Sequence, residues 1–161
     1  PGDVVRFVTK EPYRITVSGR TKHFINVFGE EVMVHNTDQA IKETCHITDA
    51  IVSDYTVAPV FMENQNKGGH EWVIEFEKKP EDHKKKKKLL DERLRSLNTD
   101  YDAKRYKDMA LLPLKMNVVP TNTFNLWLKH KGKLGGQSKI PRLANDRKYI
   151  TELMDFIKNV N

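Results

Sequence analysis

The sequence predicts an α+β fold in which a small mixed β-sheet is flanked by helices. The chain of 161 residues is long enough for one domain with its own core. Apolar and polar residues alternate near the start and in two longer segments near the middle, as they do in strands. The other segments place apolar residues at helical spacing, and strands and helices in this order are typical of an α+β domain.

The first part of the chain is predicted to be rich in β-strands. Val4–Val8 and Tyr13–Val17 have the composition of strands, and His23–Phe28 alternates again. Gly19–Lys22 separates the last two segments and predicts a turn. Asn36 then predicts the N-cap of a helix that ends near residue 47.

Two longer strands and a lysine-rich helix are predicted in the middle. The strands are Ile51–Phe61 and Trp72–Glu77, joined by a hairpin-like loop at Gln65–Gly69. Leucines at helical spacing predict a helix over Glu81–Leu97, and a second helix is expected over Asp100–Met109.

The last part combines a strand, two helices and a glycine-rich loop. The strand Lys115–Val119 ends at Pro120, and Thr121 is predicted to cap the next helix. The loop occupies Gly132–Gln137, and a final helix carries Leu153.

The composition excludes several classes of protein. Hydrophobic residues make up 38% of the chain, too many for a disordered protein. No apolar run approaches the about 18 residues of a membrane helix, and the start has no signal-peptide pattern. Cys45 is the only cysteine and cannot form an internal disulfide, which suits a reducing compartment. We therefore expect a cytoplasmic protein with no membrane partner.

The net charge of +6 favours an anionic partner, such as a nucleic acid or a small anion. The most obvious contributor is the run His83–Lys88, which follows Glu81 and Asp82 and contains the five lysines Lys84–Lys88. We interpret the run as a solvated helix face, because a nucleic-acid surface would place aromatic residues among the cations. No nucleic-acid partner is expected, and a basic nucleic-acid-binding module is the less favoured alternative.

Three short motifs carry residues suited to a nucleotide, although each alone is more often structural. Asp3 precedes a strand, where a carboxylate can bind sugar hydroxyls or cap a turn. Ser18–Lys22 places an arginine and a lysine on a glycine turn, which suits phosphate or ribose and also a plain exposed turn. Gly132–Arg142 combines three glycines with three cations, which suits an anion and also a flexible basic linker.

Other chemistry has little support in the sequence. The six histidines are scattered, so no metal site is predicted. Cys45 lies in a predicted amphipathic helix, where packing is a better interpretation than nucleophilic catalysis. The sequence has no Gly-x-Ser-x-Gly elbow.

In this order, the three motifs resemble the acyl-adenylate-forming superfamily. Its members end their large domain with Tyr-Arg-x-Gly-Asp and continue through a Gly-Arg-x-(Asp or Lys) hinge. A Gly-rich β-turn follows, and a catalytic lysine lies near the C terminus. Gly2–Asp3, Gly19–Lys22 and Lys139 match those positions.

The resemblance is closer still to the auxin-responsive (Gretchen Hagen) acyl-acid amido synthetases of the bacterial type, and it covers essentially the whole chain. The matching segments are Gly2–Phe7, Ser18–Glu31, Gly69–Trp72, Asp100–Arg105 and Gly135–Leu143. The most specific piece is the Gln-x-Lys-x-Pro-Arg motif at 137–142.

The resemblance implies a two-step reaction and assigns residues to it. ATP and a carboxylic acid give an acyl-adenylate and pyrophosphate, and the amine of an amino acid then displaces AMP. Lys139 is expected to be the catalytic residue, which reaches the α-phosphate and the attacking carboxylate oxygen. Asp3 and Arg20 are expected to bind the nucleotide, with Lys22 as the hinge. ATP and Mg2+ are the expected cofactors of the full-length enzyme, with no metal ligand in this chain.

The resemblance also divides the chain into two parts. Residues 1–19 are expected to be the end of the N-terminal adenylation domain and the approach to the hinge, and residues 20–161 the C-terminal mobile cap domain. The expected partners are the N-terminal adenylation domain of the same chain and the carboxylic acid and amino acid substrates. This sequence alone is expected to be inactive. A cap domain of an acyl-CoA ligase is the alternative.

Two positions depart from the pattern. Asn26 stands where many superfamily members have lysine, and Glu30–Glu31 lies near a lysine of the plant members. The roles of those lysines are therefore not transferred to this chain.

Overall fold

A three-stranded sheet with helices on both faces forms the centre of the structure. The computed structural model describes residues 3–20, 23–61, 67–108, 110–132 and 139–160. The elements in chain order are β1 (Asp3–Lys10), β2 (Tyr13–Arg20), β3 (Phe24–Ile25), β4 (Val32–Met33), α1 (Val34–Thr48), β5 (Ile51–Phe61), β6 (Gly68–Lys78), α2 (His83–Leu97), α3 (Thr99–Arg105), β7 (Lys115–Val119), α4 (Thr123–His130) and α5 (Lys148–Val160). Within these ranges, no helix has the length and apolar character needed to cross a membrane.

The central sheet has the strand order β5-β6-β7 and is mixed. β5 and β6 are antiparallel, whereas β6 and β7 are parallel. Two smaller antiparallel sheets, β1–β2 and β3–β4, precede it in the chain. The predicted α+β class with a small mixed sheet is therefore confirmed.

Side chains alternate across β6 and build a separate core on each face of the sheet. The first core packs α1, α2 and α3 against the sheet and includes Ala40, Ile41, Tyr55, Val57, Trp72, Ile74, Phe76, Leu90, Leu94, Tyr101 and Leu143. The second core packs α4 and α5 against the other face and includes Ala58, Val73, Val119, Phe124, Trp127, Ile140, Ile150 and Leu153. Because both faces are covered, β6 is buried from Gly68 to Phe76.

A buried ion pair braces the helices of the first core. Nη2 of Arg105 lies 2.8 Å from Oδ2 of Asp91, and the Tyr101 hydroxyl donates to Oδ1 of the same carboxylate at 2.7 Å. Arg105 also donates to the Leu111 carbonyl at 3.0 Å. Burial and the Asp91 carboxylate raise the pKa of Tyr101 well above its ordinary value. The charges are therefore hydrogen-bonded, as buried charges must be.

The lysine run Lys84–Lys88 lies in the first half of α2 and is solvated except at one position. Lys86 is fully buried, and its Nζ lies 3.0 Å from Sγ of Cys45 and 3.3 Å from Oγ1 of Thr48. Lys86 precedes Leu90 by one helical turn, so both side chains point towards the first core. The prediction of a solvated face is wrong for Lys86 and correct for the other four lysines.

The predicted N-cap of the first helix is wrong. Since α1 begins at Val34, Asn36 lies inside its first turn. There its Oδ1 accepts the Met33 amide at 3.0 Å. Asn36 therefore satisfies a backbone group at the helix start, but it does so from within the helix.

The cap of α4 comes from the central sheet and not from Thr121. The carboxylate of Glu75 in β6 accepts the amides of Asn122 and Phe124, each at 2.9 Å. Ser53 donates to the same carboxylate at 3.0 Å. A negative charge placed there suits the positive end of the helix dipole.

The β1–β2 hairpin replaces the predicted turn at Gly19–Lys22. Gly19 and Arg20 continue β2, because β1 extends far enough to pair with them. Thr21 and Lys22 lie outside the described residues. β3 is correspondingly shorter than the strand predicted over His23–Phe28 and pairs with β4.

Candidate functional site

Lys139 has an exposed side chain at the start of a segment that is fastened to β5. The Thr56 hydroxyl donates to the Pro141 carbonyl at 2.8 Å. The Val57 amide donates to the Arg142 carbonyl, also at 2.8 Å. Residues 133–138, which include most of the predicted glycine-rich loop, lie outside the described residues. From Lys139 onwards, the chain thus runs along β5, on the edge opposite to the one that pairs with β6.

We call residues 139–144 the Lys139 segment, and side chains anchor it in both cores. Ile140 is buried in the second core, and Leu143 is buried in the first. Leu143 forms a parallel bridge with Val57, and the Ala144 amide donates to the Val57 carbonyl at 3.2 Å. The segment therefore behaves as a short extra strand beside β5.

Asp38, Tyr55 and Arg142 form a cluster next to Lys139, which we call the Arg142 cluster. The guanidinium carbon of Arg142 lies 4.7 Å from the centre of the Tyr55 ring. Nη1 of Arg142 donates to Oδ1 of Asp38 at 3.0 Å, and the Tyr55 hydroxyl donates to the same oxygen at 2.6 Å. The Tyr55 ring stacks on Trp72, with centroids 5.6 Å apart. The guanidinium is thus stacked on one face and paired at one edge.

The electrostatics of the cluster keep Tyr55 neutral and Arg142 charged at neutral pH. Burial and the hydrogen bond to Asp38 raise the pKa of Tyr55, so the hydroxyl remains a donor. Burial alone would lower the pKa of Arg142, but Tyr55 and Asp38 raise it above its ordinary value. Arg142 therefore stays charged.

Asp54 is a half-buried carboxylate within electrostatic reach of both Arg142 and Lys139. Its Oδ1 accepts the Tyr55 amide at 2.9 Å. Burial raises the pKa of Asp54, and the amide and the two cations oppose the rise. Sequence reasoning missed Asp54 and Asp38, because single aspartates in a strand and in a helix are common at surface positions and no motif marks these two.

Asn145, the residue directly after the Lys139 segment, is hydrogen-bonded to the chain that follows the predicted hinge. Oδ1 of Asn145 accepts the Asn26 amide at 2.9 Å, and its Nδ2 donates to the Phe24 carbonyl at 2.9 Å. Lys22, the predicted hinge, lies outside the described residues and precedes Phe24 by two positions. The start of the predicted cap domain and the Lys139 segment therefore lie against each other.

Asp3 and Arg20, the predicted nucleotide-binding residues, are paired across the β1–β2 hairpin. Their Cα positions oppose each other at the end of the hairpin that carries the chain onwards. Both side chains lie outside the described part, so their roles stay predictions. The pairing does place the two residues next to each other on adjacent strands.

Several residues that carried the sequence resemblance are structural. Glu30 and His70 are both buried, with Oε1 and Nε2 2.8 Å apart. The Phe28 amide donates to the other Glu30 oxygen at 2.7 Å. Burial alone would raise the pKa of Glu30, but His70 and the backbone amides bring it below its ordinary value. This pair joins the chain after β3 to β6.

The described ranges contain no group of three or more His, Cys, Asp or Glu residues arranged to hold a metal ion. The expected Mg2+ belongs to the full-length enzyme and stays a prediction. The exposed cation Lys139 suits an anion.

Comparisons with known proteins give one family. The model described as the GH3 family C-terminal domain matches residues 35–148. Among solved structures, a GH3.15 acyl acid amido synthetase aligns with a TM-score of 0.68 and 16% identity, over 98% of this chain and 30% of that chain. A second, the AtGH3.15 acyl acid amido synthetase in complex with 2,4-DB, has a TM-score of 0.67 and 18% identity, over 96% of this chain and 29% of that chain. No curated protein matches the sequence.

The two kinds of match carry different weight. The structures share too little sequence to show more than the fold, and this chain spans less than a third of their length. The family model covers well over half of the sequence, including α1, the central sheet and the Lys139 segment. The chain therefore belongs to the GH3 family, as its C-terminal domain.

Proposed function

We propose that this chain is the mobile C-terminal cap of an ATP-dependent acyl-acid amido synthetase, which adenylates a carboxylic acid and joins it to an amino acid. One observation carries the proposal. Lys139 is exposed, while three hydrogen bonds join β5 to backbone groups of the residues that follow it. An exposed cation on a rigid backbone is suited to contact an anion that is bound on another surface. Membership of the GH3 family supports the reaction class.

In the first step, Lys139 would stabilise charge on the α-phosphate. A carboxylate oxygen attacks the α-phosphorus of ATP, the bond to the leaving pyrophosphate breaks, and pyrophosphate departs with the electron pair. Negative charge develops on the α-phosphate oxygens, and a lysine ammonium placed there lowers the barrier. Domain closure would bring Lys139 to the phosphate for this step only.

In the second step, the amine nitrogen of an amino acid attacks the acyl carbon. The new C–N bond forms, AMP leaves and the nitrogen loses a proton. Asp3 would hold the ribose hydroxyls, Arg20 would contact the nucleotide, and the chain would rotate about Lys22 between the steps. When bound with ATP, Mg2+ would neutralise phosphate charge.

We also place the reaction in the cytoplasm. ATP is available there, and a single free thiol such as Cys45 stays reduced.

The proposal is tested in the full-length protein by pyrophosphate exchange. Lys139→Ala is expected to abolish ATP–pyrophosphate exchange and to leave the thermal unfolding midpoint unchanged, because the side chain is exposed. Lys129→Ala removes another exposed lysine, on α4, and should leave exchange intact. Normal exchange by Lys139→Ala would remove Lys139 from the mechanism.

A second assay separates the amido synthetase from an acyl-CoA ligase. The full-length enzyme is supplied with ATP and a carboxylic acid, and either CoA or a panel of amino acids is added. Amide formation supports the proposal, whereas thioester formation with CoA alone would contradict it. This chain by itself should show no exchange, because it spans less than a third of the matched synthetases.

A further inference from the structure

Building on the proposed function of Lys139, we propose that Arg142 is a positioning residue. It fixes the direction in which the Lys139 side chain projects from the domain surface. Asp38 and Tyr55 hold the Arg142 side chain, so the Arg142 cluster acts through the backbone of the Lys139 segment. The cluster itself need not touch the substrate.

The geometry gives Arg142 two independent attachments. Its carbonyl accepts the Val57 amide of β5 at 2.8 Å. Its guanidinium reaches across to α1, where Nη1 pairs with Asp38 at 3.0 Å. Backbone bonds and the buried Ile140 and Leu143 side chains already hold the segment on the sheet. The pair with Asp38 adds an attachment to α1, a different element, close to Lys139. Lys139 lies only three residues before this double attachment.

Tyr55 prepares the acceptor for Arg142. Its hydroxyl donates to Oδ1 of Asp38 at 2.6 Å and lies 2.8 Å from Oγ1 of Thr37, so the carboxylate is oriented before the guanidinium pairs with it. Its ring supports the guanidinium plane from one side. A planar, stacked guanidinium has a fixed orientation that a lysine ammonium cannot reproduce.

The chain offers a matched control for an ordinary surface ion pair. Arg142 and Asp38 have side chains that are 42% and 49% exposed. The side chains of Arg95 and Asp102 in α2 and α3 are 38% and 49% exposed and are paired at 2.5 Å. Arg95 and Asp102 lie on helices that are remote in sequence from Lys139. Loss of either pair should therefore cost similar stability, and only loss of Arg142 should affect Lys139.

The first experiment measures ATP–pyrophosphate exchange by the full-length protein and its Arg142→Ala, Arg142→Lys, Asp38→Asn and Arg95→Ala variants. A misplacement of about 1 Å can cost about 100-fold in rate. We therefore expect kcat to fall about 10- to 100-fold in Arg142→Ala, with the KM for ATP near the wild-type value. Arg142→Lys and Asp38→Asn should have intermediate kcat values, and Arg95→Ala should resemble the wild type. Asp38→Asn keeps the size of the side chain and serves if Arg142→Ala folds poorly.

The second experiment asks whether Arg142 acts through Lys139. Single-turnover adenylation is compared for Lys139→Ala and for the double variant Lys139→Ala/Arg142→Ala. If Arg142 only orients Lys139, the double variant should be no slower than Lys139→Ala, because effects of residues that act as a unit are not additive. A further tenfold loss in the double variant would overturn the inference, and so would equal kcat values for Arg142→Ala and Arg95→Ala.

The two proposals fail in different ways. If Lys139→Ala keeps normal exchange, the proposed role of Lys139 is wrong. If Lys139→Ala abolishes exchange while Arg142→Ala and Asp38→Asn match Arg95→Ala, the role of Lys139 stands and the positioning role of Arg142 is wrong.

Discussion

Glu71 shows how a single side chain can join three elements of this domain. Glu71 lies on β6, and its Oε1 accepts a hydrogen bond from Nδ2 of Asn117 at 2.6 Å. The same oxygen pairs with Nζ of Lys115 at 2.9 Å, and both partners lie on β7. Its Oε2 pairs with Arg147, whose Nη1 donates to the Pro59 carbonyl of β5 at 2.9 Å. Burial alone would raise the pKa of Glu71, but Lys115, Arg147 and Asn117 lower it to about 2.

This depressed pKa gives Glu71→Gln a pH-dependent effect. Because the folded pKa of about 2 lies below the ordinary value of 4.5, the carboxylate stabilises the fold above pH 4.5, and the stabilisation is lost as the pH falls towards 2. Glu71→Gln should lower the free energy of unfolding by about 2–3 kcal/mol at neutral pH. Urea unfolding should show the difference from wild type shrinking steadily below pH 4.5.

Glu77→Gln is the matched control for that experiment, since Glu77 is exposed on the same strand. It should change the free energy of unfolding by no more than about 0.5 kcal/mol. A loss in Glu71→Gln that is equal at neutral and acidic pH would show that packing, and not charge, explains it.

At the scale of the elements, the sequence predicted the bounds of strands and helices correctly where residues close in sequence determine them. Lys115–Val119 forms a strand with the predicted bounds, and the leucine spacing of α2 ends the helix at Leu97 as predicted. The start of α4 was missed because its cap is the distant Glu75. The end of β2 was missed because pairing with β1, and not the glycine in Gly19–Lys22, decides it.

The candidate site divides in the same way. Lys139 was predicted from a short motif and an ordered resemblance, both of which are local in sequence, and its role stays a prediction. Asp38, Tyr55 and Arg142 were not recognised as a group because they come from α1, β5 and the Lys139 segment. No periodicity links residues that only the fold brings together.

The beginning of β6 was also missed, and Gly68 explains why. Gly68 and Gly69 have the composition of a loop, yet both lie in the strand. A Cβ atom at Gly68 would lie 1.9 Å from Cζ of Phe28, whereas one at Gly69 would lie 4.0 Å from its nearest neighbour, the Leu112 carbonyl oxygen. The ring of Phe28 therefore crosses the strand where only glycine leaves room.

Gly68→Ala should consequently destabilise the domain by about 1–3 kcal/mol, because the Phe28 ring must move. Gly69→Ala on the next residue should have a much smaller effect. In a Phe28→Ala background, the cost of Gly68→Ala should disappear, and thermal or urea unfolding of the four proteins measures this coupling. An equal loss in both backgrounds would mean that Phe28 is not the obstacle.

At the scale of the whole molecule, the Lys139 segment contributes to both cores. Ile140 belongs to the core beneath α4 and α5, and Leu143 belongs to the core beneath α1, α2 and α3. Movement of the segment by itself would therefore disturb packing on both faces of the sheet. If the domain moves as proposed, it is expected to move as a rigid body that carries Lys139 along, without motion of the segment within it.

The β1–β2 hairpin, most of which the expected division assigns to the adenylation domain, exposes apolar side chains. Phe7, Tyr13 and Ile15 are 62%, 78% and 59% exposed, and Phe7 lies directly opposite Ile15. Clustered exposed apolar side chains of this size are typical of a surface that another part of the protein covers. The proposed cover is the N-terminal adenylation domain of the same chain.

The double variant Phe7→Thr/Ile15→Thr tests this at the level of the assembled protein. Threonine keeps the preference for a strand and removes most of the apolar surface. In the 161-residue chain alone, the variant should leave the unfolding midpoint nearly unchanged. In the full-length protein it should lower the unfolding midpoint, because apolar surface buried between domains is lost.

Ile51→Thr, at an exposed position of β5, should affect both proteins equally. If the double variant also affects the short chain and the full-length protein equally, the hairpin is not covered by the large domain.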